Sequence, residues 1–108
     1  GTAMSVLFGR LGATIVATGR TEESLSRLAA DLATIDVICD TVTMSVRDPD
    51  AVAAAIDQAT SAHGRIDHVI NNAGGQFSAE ALDITPKGWA AVVETNLYGT
   101  WFMMQEAD

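Results

Sequence analysis

Short β-branched segments alternate with longer amphipathic segments along the 108 residues of the chain. In the longer segments apolar residues recur every three or four positions, which is the spacing of one helix face, whereas the short runs have the composition of strands. The predicted order is helix, strand, helix, strand, helix, strand, helix. This alternation predicts an α/β fold in which helices cover both faces of a parallel sheet.

The starts of three helices are marked in the sequence by residues that cap helix N-termini. Asp48-Pro49 and Thr85-Pro86 each place a capping side chain directly before a proline, which is favoured at the first helical position. Thr21 precedes two glutamates and is predicted to cap an earlier helix. The helix that starts after Thr85 is predicted to continue to the end of the chain.

The third predicted strand leads into a loop of asparagines and small residues. Residues Ile66 to Ile70 have the apolar, β-branched character of a buried strand, and the sequence Asn71-Asn72-Ala73-Gly74-Gly75 follows. Ligands of open α/β sheets bind beyond the carboxyl ends of the strands. We therefore interpret the loop as a ligand-binding loop. The alternative is an ordinary strand-to-helix connection whose asparagines bond to nearby backbone.

The last predicted helix carries a polar residue on its apolar face. The residues that share this face are Trp89, Val92, Val93, Asn96, Thr100, Met103 and Met104. Burial of an unpaired amide costs a few kcal/mol, and Gly99 weakens the same turn by about 1 kcal/mol relative to alanine. Two interpretations follow. In the first, Asn96 pairs with the backbone of a neighbouring strand, or Gly99 merely lets two helices approach closely. In the second, Asn96 bends or opens the helix and orders water or a catalytic side chain beside the Asn72 loop.

Composition excludes several classes of function. The net charge of -8 disfavours binding to nucleic acids and to anionic membrane surfaces, which would repel the chain. Cys39 is the only cysteine, and the two histidines, His63 and His68, lack partners at ligand spacing, so neither a disulfide nor a metal site is expected. No apolar run approaches the roughly 20 residues that span a bilayer, and no signal peptide is visible. We expect a cytoplasmic location.

Two motifs together resemble those of the short-chain dehydrogenase/reductase family. Asn71-Asn72-Ala73-Gly74 after a strand is followed, at the family's separation, by Glu94-Thr95-Asn96-Leu97-Tyr98-Gly99. The resemblance implies a Rossmann-like doubly wound parallel sheet and hydride transfer between a nicotinamide cofactor and a carbonyl, alcohol or activated alkene. It extends over residues 1–108 but matches only the N-terminal part of the family's domain. The chain would then be a partial NAD(P)-binding Rossmann domain.

The expected truncation removes elements that the family's fold and catalysis need. The first strand is missing, and so is the C-terminal part that supplies a serine and the tyrosine and lysine of a Y-x-x-x-K motif. The strand before Asn71 would therefore lose its neighbours on both sides, which leaves backbone groups unpaired. We expect the chain to be a fragment that is unstable and catalytically inactive alone.

The resemblance also implies where the adenosine half of a cofactor binds. Gly1 corresponds to the last glycine of the family's pyrophosphate-binding loop, at the start of a helix. Arg20 follows the strand at whose end family members contact the adenosine ribose. The guanidinium of Arg20 suits a 2′-phosphate, which implies a preference for NADP(H) over NAD(H). Ser45 and Val46 occupy the adenine position, although the family usually has an aspartate where this chain has Ser45.

At the nicotinamide end, the resemblance assigns cofactor contacts to Asn72, Ala73 and Gly74. Asn96 corresponds to the family's catalytic asparagine, which holds a water of the proton relay. Gln76 and Phe77 resemble the loop of dienoyl- and enoyl-CoA reductases, which implies a small-molecule substrate that could be an acyl-CoA.

The sequence is compatible with more than one assembly and more than one function. Family members are commonly homodimers or homotetramers. A different reading is a non-catalytic nucleotide-binding or oligomerisation remnant that offers Trp89, Met103 and Met104 to a partner. A phosphate-responsive receiver-type domain is a weaker alternative, because the predicted strands do not end in clustered acidic residues.

Overall fold

The computed structural model describes all 108 residues, which divide into two compact units, Gly1–Ser45 and Val46–Asp108. The elements of the first unit are α1 (Thr2–Arg10), β1 (Ile15–Gly19), α2 (Glu22–Ala33) and β2 (Cys39–Thr43). Those of the second are α3 (Pro49–His63), a 3-10 turn (Ala81–Asp83), α4 (Pro86–Val93), a π-turn (Glu94–Tyr98) and α5 (Gly99–Glu106).

The first unit is a parallel β-α-β arrangement. β1 and β2 pair in parallel, with Ile15 opposite Cys39 and Gly19 opposite Thr43. The connecting helix α2 packs on both strands, and its Leu25 and Leu32 are buried. The β-branched residues thus form the sheet and the amphipathic residues cover it, so the predicted α/β class is confirmed.

The second unit is organised around α3, whose predicted start is confirmed. The Asp48 side chain accepts hydrogen bonds from the backbone N–H groups of Asp50 and Ala51 at 3.1 and 3.2 Å, and Pro49 occupies the first turn. Val52, Ala55 and Ala59 form the buried face of this helix, which packs against α5.

The same cap-and-proline signal at the start of α4 is also confirmed. The Thr85 hydroxyl accepts a hydrogen bond from the Gly88 N–H at 3.0 Å. Thr21, in contrast, lies at the N-cap of α2 without bonding to the helix backbone, because its hydroxyl donates to Ser24 Oγ. The position of this third cap was predicted correctly, but its hydrogen bond was not.

The predicted strand from Ile66 to Ile70 is not formed, so that prediction was wrong. Residues 65–80 contain neither helix nor strand, and the sheet consists of β1 and β2 alone. A strand needs a neighbour to receive its backbone hydrogen bonds, and none pairs with this segment. Its local bond is a tight turn in which the Asn72 N–H donates to the Ile70 carbonyl at 3.0 Å.

The last helix differs from its prediction in two respects. The π-turn interrupts it, and three residues of the predicted buried face are exposed, Asn96 together with Trp89 at 62% and Met104 at 55%. A π-turn inserts one residue and rotates those beyond it by about 100°, which breaks the α-helical period that the prediction assumed. Trp89 precedes the π-turn; there α4 buries Gly88 instead, against the ring of Phe77.

Replacement of Asp48 by alanine should lower the free energy of unfolding by about 1 kcal/mol, because two N–H groups at the start of α3 lose their acceptor. Urea denaturation followed by circular dichroism measures the change. Thr21→Ala is the matched control and should cost less, since Thr21 makes no hydrogen bond to its helix backbone. Equal losses in the two variants would contradict the capping role of Asp48.

Candidate functional site

In the first unit, the candidate residues lie at the carboxyl ends of the two paired strands. Gly19 and Thr43 are opposite each other as the last residues of β1 and β2. Arg20 follows the first directly and is exposed, and Ser45 follows the second by two residues and is half-buried. Because the strands are parallel, both residues emerge at the same edge of the sheet.

Gly1 is the N-cap of α1, the position that the resemblance assigns to phosphate binding. The first turn of this helix contains no acidic side chain that would repel an anion. The backbone N–H groups of a helix N-terminus carry partial positive charge, so this end of α1 is electrostatically compatible with a pyrophosphate.

In the second unit, Asn96 forms two hydrogen bonds with the backbone of Gly75. Its Nδ2 donates to the Gly75 carbonyl at 2.8 Å, and the Gly75 N–H donates to its Oδ1 at 2.9 Å. The side-chain amide thus satisfies the backbone N–H and carbonyl of one loop residue, as a neighbouring strand would. A Cβ on Gly74 would lie 3.2 Å from the same oxygen, so small residues let the loop approach. We call this pair of bonds the Asn96–Gly75 clamp.

The helix that carries Asn96 is opened at this point. The Gly99 N–H donates to the Glu94 carbonyl, five residues earlier, which is the hydrogen-bond pattern of a π-helix. The Thr100 hydroxyl donates to the Asn96 carbonyl at 3.0 Å. Such side-chain bonds to the preceding turn bend helices, and π-turns are frequent at functional sites.

Gly99 allows the π-turn to pack closely against the segment that precedes α3. A Cβ at position 99 would lie 2.6 Å from Cγ2 of Val46, closer than real Cβ contacts. Both interpretations of this helix are partly correct, although the partner of Asn96 is loop backbone rather than a strand and Gly99 approaches Val46 rather than a second helix. Asn96 pairs with backbone and Gly99 permits a close approach, and the helix is also opened beside the Asn72 loop.

A second contact anchors the same loop. The Phe77 ring covers Gly88 in α4, where an added Cβ would lie 2.9 Å from the ring. The loop is therefore held at Gly75 and Phe77, while Asn72 to Gly74 are exposed ahead of these contacts. Backbone and amide groups of the exposed residues are accessible to a ligand.

An ion pair that the sequence analysis missed joins Arg47 to Glu94. Nε of Arg47 donates to Oε2 of Glu94 at 2.7 Å, and Nη2 donates to the same oxygen. The one signal available was a pair of opposite charges, with Arg47 directly after Val46 and Glu94 at the start of the second motif. Residues 47 positions apart cannot be paired from one sequence, so the contact was not predictable.

Cys39 has no features of a reactive nucleophile. Burial raises the pKa of its thiol, and the negative charge of Asp40 raises this pKa further. The thiol is therefore neutral at neutral pH, when only the thiolate reacts readily. No group of three or more His, Cys, Asp and Glu side chains is arranged to hold a metal ion. None of the helices combines the length and the apolar character needed to cross a membrane.

A family model described as short chain dehydrogenase matches residues 1–107. The chain belongs to the short-chain dehydrogenase family. It is 38% identical over 107 residues to "Probable 2,4-dienoyl-CoA reductase" of Bacillus subtilis. This match covers 99% of the present chain and 42% of the Bacillus protein. The present chain is 30% identical over 105 residues to 3-oxoacyl-[acyl-carrier-protein] reductase FabG of Thermotoga maritima, which covers 97% of this chain and 43% of that protein.

Solved structures of the family have the same fold over nearly the whole chain. A short chain dehydrogenase from Bacillus anthracis matches with a TM-score of 0.92 at 37% identity and covers 97% of this chain and 44% of that one. A metagenomic short-chain oxidoreductase in complex with NADP also gives 0.92, at 29% identity, with coverage of 98% and 48%. The Rossmann-like fold class is confirmed, and the chain spans less than half the length of these relatives.

Replacement of Asn96 by alanine should speed hydrogen exchange of the Gly75 amide by roughly tenfold or more, because both hydrogen bonds of the clamp are lost and each contributes about 1 kcal/mol. NMR exchange rates measure this. Gln105→Ala is the matched control, because it removes an exposed side-chain amide from α5 and should leave Gly75 unchanged. Unaltered exchange at Gly75 in Asn96→Ala would show that the clamp does not protect the loop.

Proposed function

We propose that the chain is a partial NAD(P)-binding Rossmann domain of an NADP(H)-dependent oxidoreductase. The reaction is hydride transfer to or from a carbonyl, an alcohol or an enoyl thioester. Membership of the short-chain dehydrogenase family supports the reaction class. The observation that carries the proposal is the Asn96–Gly75 clamp, because it joins the two motifs of the family resemblance in one structural unit.

The preference for NADP(H) is proposed from the end of β1. A carboxylate at this place would bond to the free 2′-hydroxyl of NAD(H) and repel a 2′-phosphate. Here Gly19 ends the strand and the exposed Arg20 follows it. A guanidinium is always charged and forms paired hydrogen bonds with phosphate oxygens, so it suits the phosphorylated ribose.

The remaining cofactor contacts are proposed for residues that fit a flat, charged ligand. Gly1 starts α1, whose N-terminal N–H groups suit the pyrophosphate, and Ser45 and Val46 serve the adenine. Asn72 and the small residues Ala73 and Gly74 leave an open loop surface for the ribose and nicotinamide. The bound nicotinamide would supply or accept the hydride.

Asn96 is proposed to combine a positioning role with a role in proton transfer. A side-chain amide can form about four hydrogen bonds, two through its NH₂ group and two through its oxygen. The clamp uses one donor and one acceptor, and the residue is exposed, so the rest of the amide is free to bind a water. We propose that this water belongs to the proton relay implied by the resemblance. The serine, tyrosine and lysine of the family would act from the rest of the protein.

An enoyl thioester, in particular an acyl-CoA, is the substrate class that we favour. The Bacillus subtilis relative named as a dienoyl-CoA reductase supports this choice, as does the Gly75-Gln76-Phe77 sequence after the binding loop. A homodimer or homotetramer is the proposed assembly of the whole protein.

Titration of the 108-residue chain with NADPH and NADH, followed by fluorescence of Trp89 and Trp101, tests the cofactor proposal. NADPH should bind more tightly than NADH. Arg20→Ala should lower the affinity for NADPH by roughly tenfold or more, because a hydrogen bond to a charged group is lost, and should have little effect on the affinity for NADH. Arg10→Ala removes another exposed arginine and is the control. Equal affinity for both cofactors, or an equal loss in the two variants, would refute the role of Arg20.

A further inference from the structure

Two consecutive residues hold both ends of the π-turn. Arg47 pairs with Glu94, the first residue of the turn, through Nε at 2.7 Å and through Nη2. Val46 packs against Gly99, the first residue beyond the turn, where a Cβ would lie 2.6 Å from Cγ2 of Val46. The segment Val46–Arg47 therefore spans the five-residue turn from end to end.

The π-turn needs such support because its geometry is rarely stable alone. Hydrogen bonds between residues five apart are uncommon. In the competing α-helical pattern each residue beyond the turn would be rotated by about 100° about the helix axis. Asn96 lies in the middle of the turn and reaches Gly75 with both of its amide groups. A change at either end of the turn would therefore move the Asn96 side chain away from the loop.

We propose that Arg47 and Glu94 are positioning residues that couple the segment after β2 to the Asn96–Gly75 clamp. The inference rests on the proposed function, which puts the adenine against Val46. An adenine bound there steadies Val46–Arg47, the ion pair then steadies the π-turn, and the turn holds Asn96 on the loop. Coupling of this kind is reciprocal, so a firmer clamp also favours adenine binding.

The expected effect is small, because the two side chains are 46% and 39% exposed. Exposed ion pairs contribute little to stability and are screened by salt. Loss of this pair should therefore change the equilibrium between the closed and the open clamp by roughly two- to fivefold. Glu94→Gln removes the charge and keeps a hydrogen-bond acceptor of nearly the same size. Arg47→Gln removes the other charge and should have the same effect.

Hydrogen exchange of the Gly75 amide, measured by NMR on the 108-residue chain with and without saturating NADPH, tests the coupling. In the wild-type chain NADPH should slow this exchange. In Glu94→Gln the exchange should be roughly two- to fivefold faster without cofactor, and NADPH should slow it less. In about 1 M salt the difference between variant and wild type should shrink, which a general loss of structure would not produce.

Glu23→Gln is the matched control. It breaks the exposed ion pair of Glu23 with Arg27, which joins neighbouring turns of α2 at 3.0 Å, and it should leave Gly75 unchanged. An unprotected Gly75 amide in the wild-type chain overturns the inference. Equal exchange in Glu94→Gln and wild type does so too, as does a difference that salt leaves unaltered.

The measurement with NADPH distinguishes failure of this inference from failure of the proposed function. A wild-type chain that unfolds cooperatively, and is therefore folded, but binds no NADPH contradicts the function itself. NADPH that binds but leaves Gly75 exchange unchanged contradicts the coupling alone.

Discussion

The hydrogen bonds between the Asn96 amide and the Gly75 backbone are the constraint on which the second unit depends. Residues 65–80 form no strand and no helix, so their backbone receives no support from a sheet. The amide supplies what a neighbouring strand would have supplied, one donor and one acceptor to the same residue. A loop that would otherwise be held by van der Waals contacts alone thereby acquires a fixed distance from the last helix.

This arrangement concentrates unfavourable local geometry in one turn. A glycine, a π-turn and a polar residue with poor helix propensity occur within Glu94–Gly99, and each weakens the helix. Elsewhere the chain follows local rules closely, as at the Asp48 cap and on the leucine face of α2. Local propensity and global fold disagree in this turn, and such disagreement is typical of a functional site. They also disagree at Ile66 to Ile70, whose strand-like composition forms no strand.

The parts of the fold that could be predicted were those set by nearby residues. The caps at Asp48 and Thr85 depend on three or four positions, and the alternation of elements depends on periodicity. The predicted strand at Ile66 failed because strand composition does not supply a neighbour, and the family resemblance implied that both neighbours of this strand are missing. The rotation beyond the π-turn was hidden because a helical period was assumed throughout. The exposure of Trp89 was hidden because it depends on the contact of Phe77 with Gly88, which joins separate segments. Asn96 was recognised as anomalous from sequence, but its partner and the ion pair of Glu94 depend on contacts between distant segments.

The clamp is made to the main chain of Gly75, so it needs no particular side chain at that position. Every residue except proline offers the same N–H and carbonyl, and no atom lies within 4 Å of where a Cβ at this position would be. The chemistry displayed by the loop can thus diversify while its attachment stays constant. A side chain at position 75 could extend into open space without any change in the helix that holds the loop.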